Sequence, residues 1–161
     1  MMQRIGQILE QELYQEYLNR NEKAELQRKF CHHDMGHFLD VARIAAILNL
    51  EEKYEISKEM IYAAALLHDI GRWKQYEDGS PHEMVSARLA PEILVKSGFN
   101  NGEIEMIVTA ISQHRNADIR NDKDLSGLLY RADKLSRACF ACKAEEDCDW
   151  KAEKKNRWLE I

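Results

Sequence analysis

Glycine and proline are scarce in this chain of 161 residues, with seven and two copies respectively. So little turn punctuation disfavours a sheet of many short strands and favours long helices. No apolar run approaches the ~20 residues of a membrane span. The opening stretch MMQRIGQILEQELYQEYLNR lacks the apolar core of a signal peptide. An excess of positive charge is missing too: the net charge is −5 and the pI about 5.7. A nucleic-acid polymer is therefore not an expected partner, because binding its backbone needs a basic stripe. A small anionic substrate remains compatible, since a few local cations serve a pocket. Cysteines number four. Without a secretory signal they point to a reducing compartment. The expectation is a cytoplasmic protein with no membrane partner.

Hydrophobic residues make up 45% of the chain and charged residues 32%. That suffices for one domain over residues 1–161 with a substantial core. Ile5, Ile8, Leu9, Leu13, Tyr17 and Leu18 recur at helical steps and predict a first helix from about Ile5 to Lys29. A second helix is expected from about Cys31 to Leu50. A third runs from Ser57 as N-cap to His68, with Gly71 as its stop. Ser80-Pro81-His82-Glu83 reads as a capping box opening a fourth helix, which Pro91 kinks or splits before Gly98. Asn100 and Glu103 repeat the cap pattern for a fifth helix ending near His114. Residues 115–121 read as a loop, and a sixth helix starts near Asp122. The fold class is all-α: a core of about six helices plus an N-terminal helix and a charged C-terminal tail. The amphipathic first helix suits docking on its own core or on a second copy, as in a homodimer.

The chemistry shows when polar residues are placed on these helices. His37 shares a face with Val41, Ile44 and Leu48, and His68 follows Ile61 and Ala65. His114 follows Ile107 and Ile111, Asp133 follows Leu129, and His82 precedes Val85 and Leu89. A lone histidine on such a face is more often a hydrogen-bonded core residue. Several helices each aiming a metal-competent group inward is a different pattern, because burying those groups singly is costly and a shared cation removes the cost. His32 and His33 precede the periodic face of their helix and read as surface residues. Two imidazoles and two carboxylates form a borderline-to-hard donor set suited to Mn, Fe, Co, Ni, Zn or Mg.

The stretches HDMGHFLDVARIAAIL, AALLHDIGRW and YRADKLSR occur in this order. They resemble the HD-domain metal-dependent phosphohydrolase superfamily, whose signature is a His, a His-Asp doublet and a distant Asp on successive helices. The resemblance spans roughly residues 30–140. It implies a helical core, a divalent metal ion held by His37, His68, Asp69 and Asp133, and hydrolysis of a phosphate ester or anhydride of a small phosphorylated metabolite such as a nucleotide. His82 and His114 match positions that take a second metal or contact phosphate. The cyclic-dinucleotide branch usually carries an adjacent His-His pair and a Gly-Tyr-Pro motif; this chain reads Gln113-His114 and lacks that motif.

Phosphate-ester hydrolysis needs an activated water and cations for the developing charge. Asp69 is the expected residue to orient or deprotonate the water as well as to ligate. Arg72, Lys134 and Arg115, with Lys74 behind them, are candidates to meet the phosphoryl oxygens. The alternative class is a non-catalytic metal and nucleotide sensor, which would bind tightly without turnover. Cys139, Cys142 and Cys148, with Cys31, admit either a thiolate metal site or small reduced apolar residues.

Overall fold

The computed structural model describes residues 1–160. Among these residues the regular structure is entirely helical. Eight α-helices follow one another: α1 (Gln3–Glu10), α2 (Glu12–Ala24), α3 (Met35–Glu51), α4 (Lys58–Leu67), α5 (Arg72–Asp78), α6 (His82–Lys96), α7 (Asn101–Gln113) and α8 (Leu125–Leu135). Short 3₁₀ turns occupy Ala117–Asn121, Cys139–Ala141 and Ala152–Lys154.

α4 is the centre because its sequence leaves it no solvent face. Met60, Ile61 and every residue from Ala63 to Leu67 are buried, as expected of a helix apolar all round. α1, α3, α6, α7 and α8 surround it. Ile5 and Ile8 bring α1 into that same core, so the first helix docks on its own chain. α7 starts at the expected capping box: Asn100 accepts from the Glu103 amide and Glu103 accepts from the Asn100 amide. Arg4 then bridges Glu103 and Glu59 at 2.8 and 2.7 Å, pinning the start of α1 to α7 and α4.

Several elements depart from the sequence reading. The first helix breaks at Gln11, whose backbone is extended. Its side-chain amide donates to the Ile93 carbonyl at 2.9 Å and to Ser97 Oγ at 2.7 Å, bonds available only with α6 in place. α2 ends at Ala24, and α3 begins at Met35 with Asp34 as N-cap accepting from the His37 amide. Ser57 makes no side-chain cap. Ser80 makes no capping box, because Pro81 holds the cap position and the Ser80 amide donates to Asp78. α6 runs through Pro91 unbroken. Proline removes one helical bond, and Ala90, Ile93 and Leu94 are fully buried around it, so packing outweighs that loss. Residues 115–121 contain the Ala117–Asn121 turn, and Asp124 rather than Asp122 caps α8.

The remaining difference is α5, which the sequence reading omits. Gly71 does not end structure there; it lets two elements approach. A Cβ at Gly71 would lie 2.6 Å from Val85 Cγ1 and 2.8 Å from the Ser86 amide nitrogen. The Gly71 amide donates to Ser86 Oγ at 3.0 Å. The turn from His68 to Gly71 is thereby clamped to the first turns of α6.

Candidate metal centre and cleft

Four helices and the turn after α4 deliver the site. His37 lies in the first turn of α3, His68 and Asp69 directly follow α4, His82 opens α6, His114 caps α7 and Asp133 lies in the last turn of α8. Asn21 of α2, fully buried, fixes the backbone around the doublet. Its amide donates to the Asp69 carbonyl at 2.8 Å and its oxygen accepts from the Trp73 amide at 2.7 Å.

The hydrogen bonds of the imidazoles assign their tautomers. Nδ1 of His68 donates to the Ala65 carbonyl, and Nδ1 of His114 to the Ile111 carbonyl, each at 2.7 Å. Nδ1 of His82 lies 2.5 Å from Gln75 Oε1. In the neutral ring each Nε2 is then a bare lone pair, the form that ligates a metal. These lone pairs converge. His68 Nε2 is 3.3 Å from His37 Nε2, and His82 Nε2 is 3.2 Å from His114 Nε2. Ring nitrogens facing at such distances need a shared proton or a metal ion between them.

Asp69 joins the two pairs. Its Oδ2 lies 3.4 Å from His68 Nε2 and 3.8 Å from His37 Nε2. Its Oδ1 lies 2.9 Å from His82 Nε2 and 3.4 Å from His114 Nε2. That oxygen is buried and accepts no hydrogen bond. Asp133 Oδ1 completes the first side, 3.5 Å from His37 Nε2 and 3.8 Å from His68 Nε2. Two donor groups able to hold an ion result: His37, His68 and Asp69 on one side, and Asp69, His82 and His114 on the other. All donors are nitrogen and oxygen, which fits a borderline or hard divalent ion.

The electrostatics show the same demand for positive charge. Burial opposes a charge on His68, but Asp69 and Asp133 outweigh it and push the imidazole up to about 10. Burial, then the neighbouring His68, pushes His37 down to about 4. Burial also lowers His82. Burial would raise both carboxyls, yet the surrounding imidazoles hold Asp69 well below the usual range. His68 and Lys134 do the same for Asp133. Without a metal, protons crowd onto the nitrogen that a metal would take.

The sequence profile of the family described as HD domain matches residues 34–138. This chain belongs to the HD domain family. It is 49% identical, over 96% of its length and 97% of the other's, to an uncharacterized protein of Clostridium beijerinckii. It is 30% identical over 106 residues to Ribonuclease Y of Thermoanaerobacter pseudethanolicus, a match covering 65% of this chain but 18% of that protein. The crystal structure of a predicted HD superfamily hydrolase from an uncultured Thermotogales bacterium superposes with a TM-score of 0.63 at 25% identity, covering 88% of this chain and 80% of the other. No helix among the described residues of the HD protein is long and apolar enough to cross a membrane.

The HD centre opens into a cleft of about 920 Å³. Of the cations expected near it, Arg72 is held inside: Nη1 lies 3.2 Å from both ring nitrogens of His82, and Nε lies 3.6 Å from Glu25 Oε1. Lys134 is tied to Asp133 at 2.5 Å. Arg115 is on the rim, half exposed, 3.8 Å from Glu83. Lys74 turns to Asp78 and Glu77 on its own helix. Arg28, Arg120 and Lys154 add positive charge to the lining.

His33 is a correction: it is not a surface residue. Its side chain is 13% exposed, and Nε2 points at the centre, 3.8 Å from Asp69 Oδ2. Glu25, 2% exposed, accepts from His33 Nδ1 at 2.6 Å, from the His33 amide at 2.7 Å and from the Tyr76 hydroxyl at 2.6 Å. Burial would raise the Glu25 carboxyl, but the hydrogen bonds from His33 and Tyr76 outweigh it and bring it down to about 2. Glu25 thus fixes the His33 ring with Nε2 towards the cleft. Nothing in the local pattern around Glu25 marks it, since its partners lie on other segments.

Proposed function

We propose that this HD domain hydrolyses a phosphate ester or anhydride of a small phosphorylated metabolite, with a nucleotide as the expected class. The observation that carries the reading is the Asp69 carboxylate, which gives one oxygen to each of two facing imidazole pairs. His37, His68, Asp69 and Asp133 would hold one divalent ion, and Asp69, His82 and His114 would hold a second. Such an ion, when bound, supplies an acidified water and neutralises phosphoryl charge.

The rest falls to the chain's own groups. Both oxygens of Asp69 face imidazoles and its carboxyl is held strongly acidic, so it orients the site and is a poor proton acceptor. His33 Nε2, oriented by Glu25, is the free acceptor beside it and takes the water's proton. Arg72, 3.2 Å from His82 and held by the same Glu25 carboxylate that orients His33, is placed to meet the phosphoryl oxygens. Lys134 and Arg115 extend that positive surface to the cleft mouth. The named Ribonuclease Y relative is in keeping with phosphate-ester chemistry, over the shared region.

The test is product release from nucleoside mono-, di- and triphosphates and a short RNA. Metal-stripped protein is reloaded with Mn, Co, Ni, Zn or Mg, and Asp69→Ala runs beside it. Metal-dependent release of phosphate or pyrophosphate, lost in Asp69→Ala, supports the reading. Full metal binding without turnover on any substrate refutes it in favour of a sensor.

A further inference from the structure

The His/Asp centre leaves the chain's four cysteines unused. Cys139, Cys142 and Cys148 follow α8, and Cys31 precedes α3, more than a hundred residues earlier. The fold brings these stretches together. Cys31, Cys139 and Cys148 all line the main cleft. Cys139 and Cys142 line an adjoining cavity of about 320 Å³, with Glu145 and Lys155. Both residues of the Cys-x-x-Cys pair therefore border one cavity, across a single 3₁₀ turn closed by the Cys142 amide donating to the Cys139 carbonyl at 3.2 Å. All four thiols are free.

A second, independent observation is the tail itself. No residue from 136 to 160 is buried, and the segment's regular structure amounts to two three-residue turns. A segment with no apolar core of its own commonly needs a cross-link. Its polar ties start the job. Asn156 donates to the Lys134 and Arg137 carbonyls at 2.7 and 2.9 Å, and the Arg137 guanidinium lies 4.0 Å over the Trp150 ring. Lys155 donates to the Glu145 and Cys148 carbonyls at 3.1 and 3.3 Å and borders the same cavity as Cys139.

We propose that Cys31, Cys139, Cys142 and Cys148 bind one zinc-type ion, separate from the His/Asp centre, that staples the tail to the segment before α3. Four thiolates are the donor set of a closed structural zinc site, whereas the His/Asp centre offers only nitrogen and oxygen. Each thiol gives its proton to solvent on binding, and no redox step is involved. No three of the sulfurs lie within 4.8 Å of one another. Closing the tetrahedron requires the tail turn to move inward on binding the ion. Its consequence for the cleft is direct, because Trp150 and Lys154, which belong to the stapled segment, form part of the cleft wall.

The test is elemental analysis of the full chain as wild type, as Cys139→Ser/Cys142→Ser, and as Asp69→Ala, after a mild chelator has stripped the His/Asp centre. The expected result is one retained zinc per chain in wild type and Asp69→Ala, and none in the double cysteine variant. Equal zinc in wild type and the double variant overturns the proposal, as does iron with acid-labile sulfide. A second measurement needs no substitution: cobalt-loaded wild-type protein should show a near-ultraviolet thiolate-to-cobalt charge-transfer band. Absence of that band overturns the proposal even if the cysteine variant fails to fold. Neither readout depends on hydrolysis, so the two proposals fail separately.

Discussion

Replacing Glu25 with Gln should weaken the protein in a way that fades with acid. The Glu25 carboxyl is brought from an ordinary 4.5 down to about 2 by His33 and Tyr76, which overcome its burial. A carboxyl depressed in the folded state contributes stability that is fully present above its ordinary value and is lost as pH falls through the folded one. The difference is worth up to about 3 kcal/mol at neutral pH, at about 1.4 kcal/mol per unit. For a chain of this size that is a fall in Tm on the order of 6–12 °C. Linkage makes the gap shrink by about 1.4 kcal/mol at pH ~3.5, one unit below the ordinary carboxyl value. The assay is urea unfolding of metal-stripped wild type and Glu25→Gln at a series of pH values from 7 downwards. A gap that stays constant with pH would refute the argument, because the loss would then be packing and not the ionised carboxylate. Turnover at pH 7 should also fall in Glu25→Gln, with metal content unchanged, since His33 loses its orienting partner.

Other outcomes follow from single contacts. His68, pushed up to about 10 in the metal-free site, is protonated at neutral pH and must release that proton on binding an ion. Apparent metal affinity should therefore rise roughly tenfold per pH unit up to about pH 10, and calorimetry in buffers of different ionisation enthalpy should count about one proton released. No dependence on buffer would contradict the assignment. Gly71→Ala would set a methyl 2.6 Å from Val85 Cγ1 and 2.8 Å from the Ser86 amide. Val85 can turn aside but the Ser86 backbone cannot, so a loss of about 1–3 kcal/mol by chemical unfolding is expected. Ile8 is fully buried in the common core, and Ile8→Ala should cost about 2–5 kcal/mol; a negligible change would mean that α1 does not belong to the core.

The helical class and the centre were legible in the sequence for the same reason. His37, His68, His114 and Asp133 each fall on a helix face marked by apolar residues, and such a face must turn inward. The Asn100–Glu103 cap was legible because its bonds span three residues. What escaped is what depends on distant partners. The break at Gln11 needs the carbonyl of Ile93, and α5 is seated by Asn21. His33 is aimed by Glu25, eight residues before it and across a loop. The Gln113-His114 pair departs from the adjacent His-His pair of the cyclic-dinucleotide branch, so His82 and His114 read only as a second metal position or a phosphate contact. The structure nevertheless brings His114 to His82 and Asp69, because the lone histidine already sits at the end of α7.

The central claim is that Asp69 joins two metal-binding groups into one hydrolytic site, and Asp69→Asn tests it most directly. Asparagine keeps the shape and removes the charge. Metal per chain at the His/Asp centre and nucleotide turnover should be measured on the same preparation, beside wild type. The account predicts that both fall, turnover by more than about a hundredfold, the upper range for losing even an outer partner of a metal ligand. Turnover within about tenfold of wild type, with unchanged metal content, would contradict it.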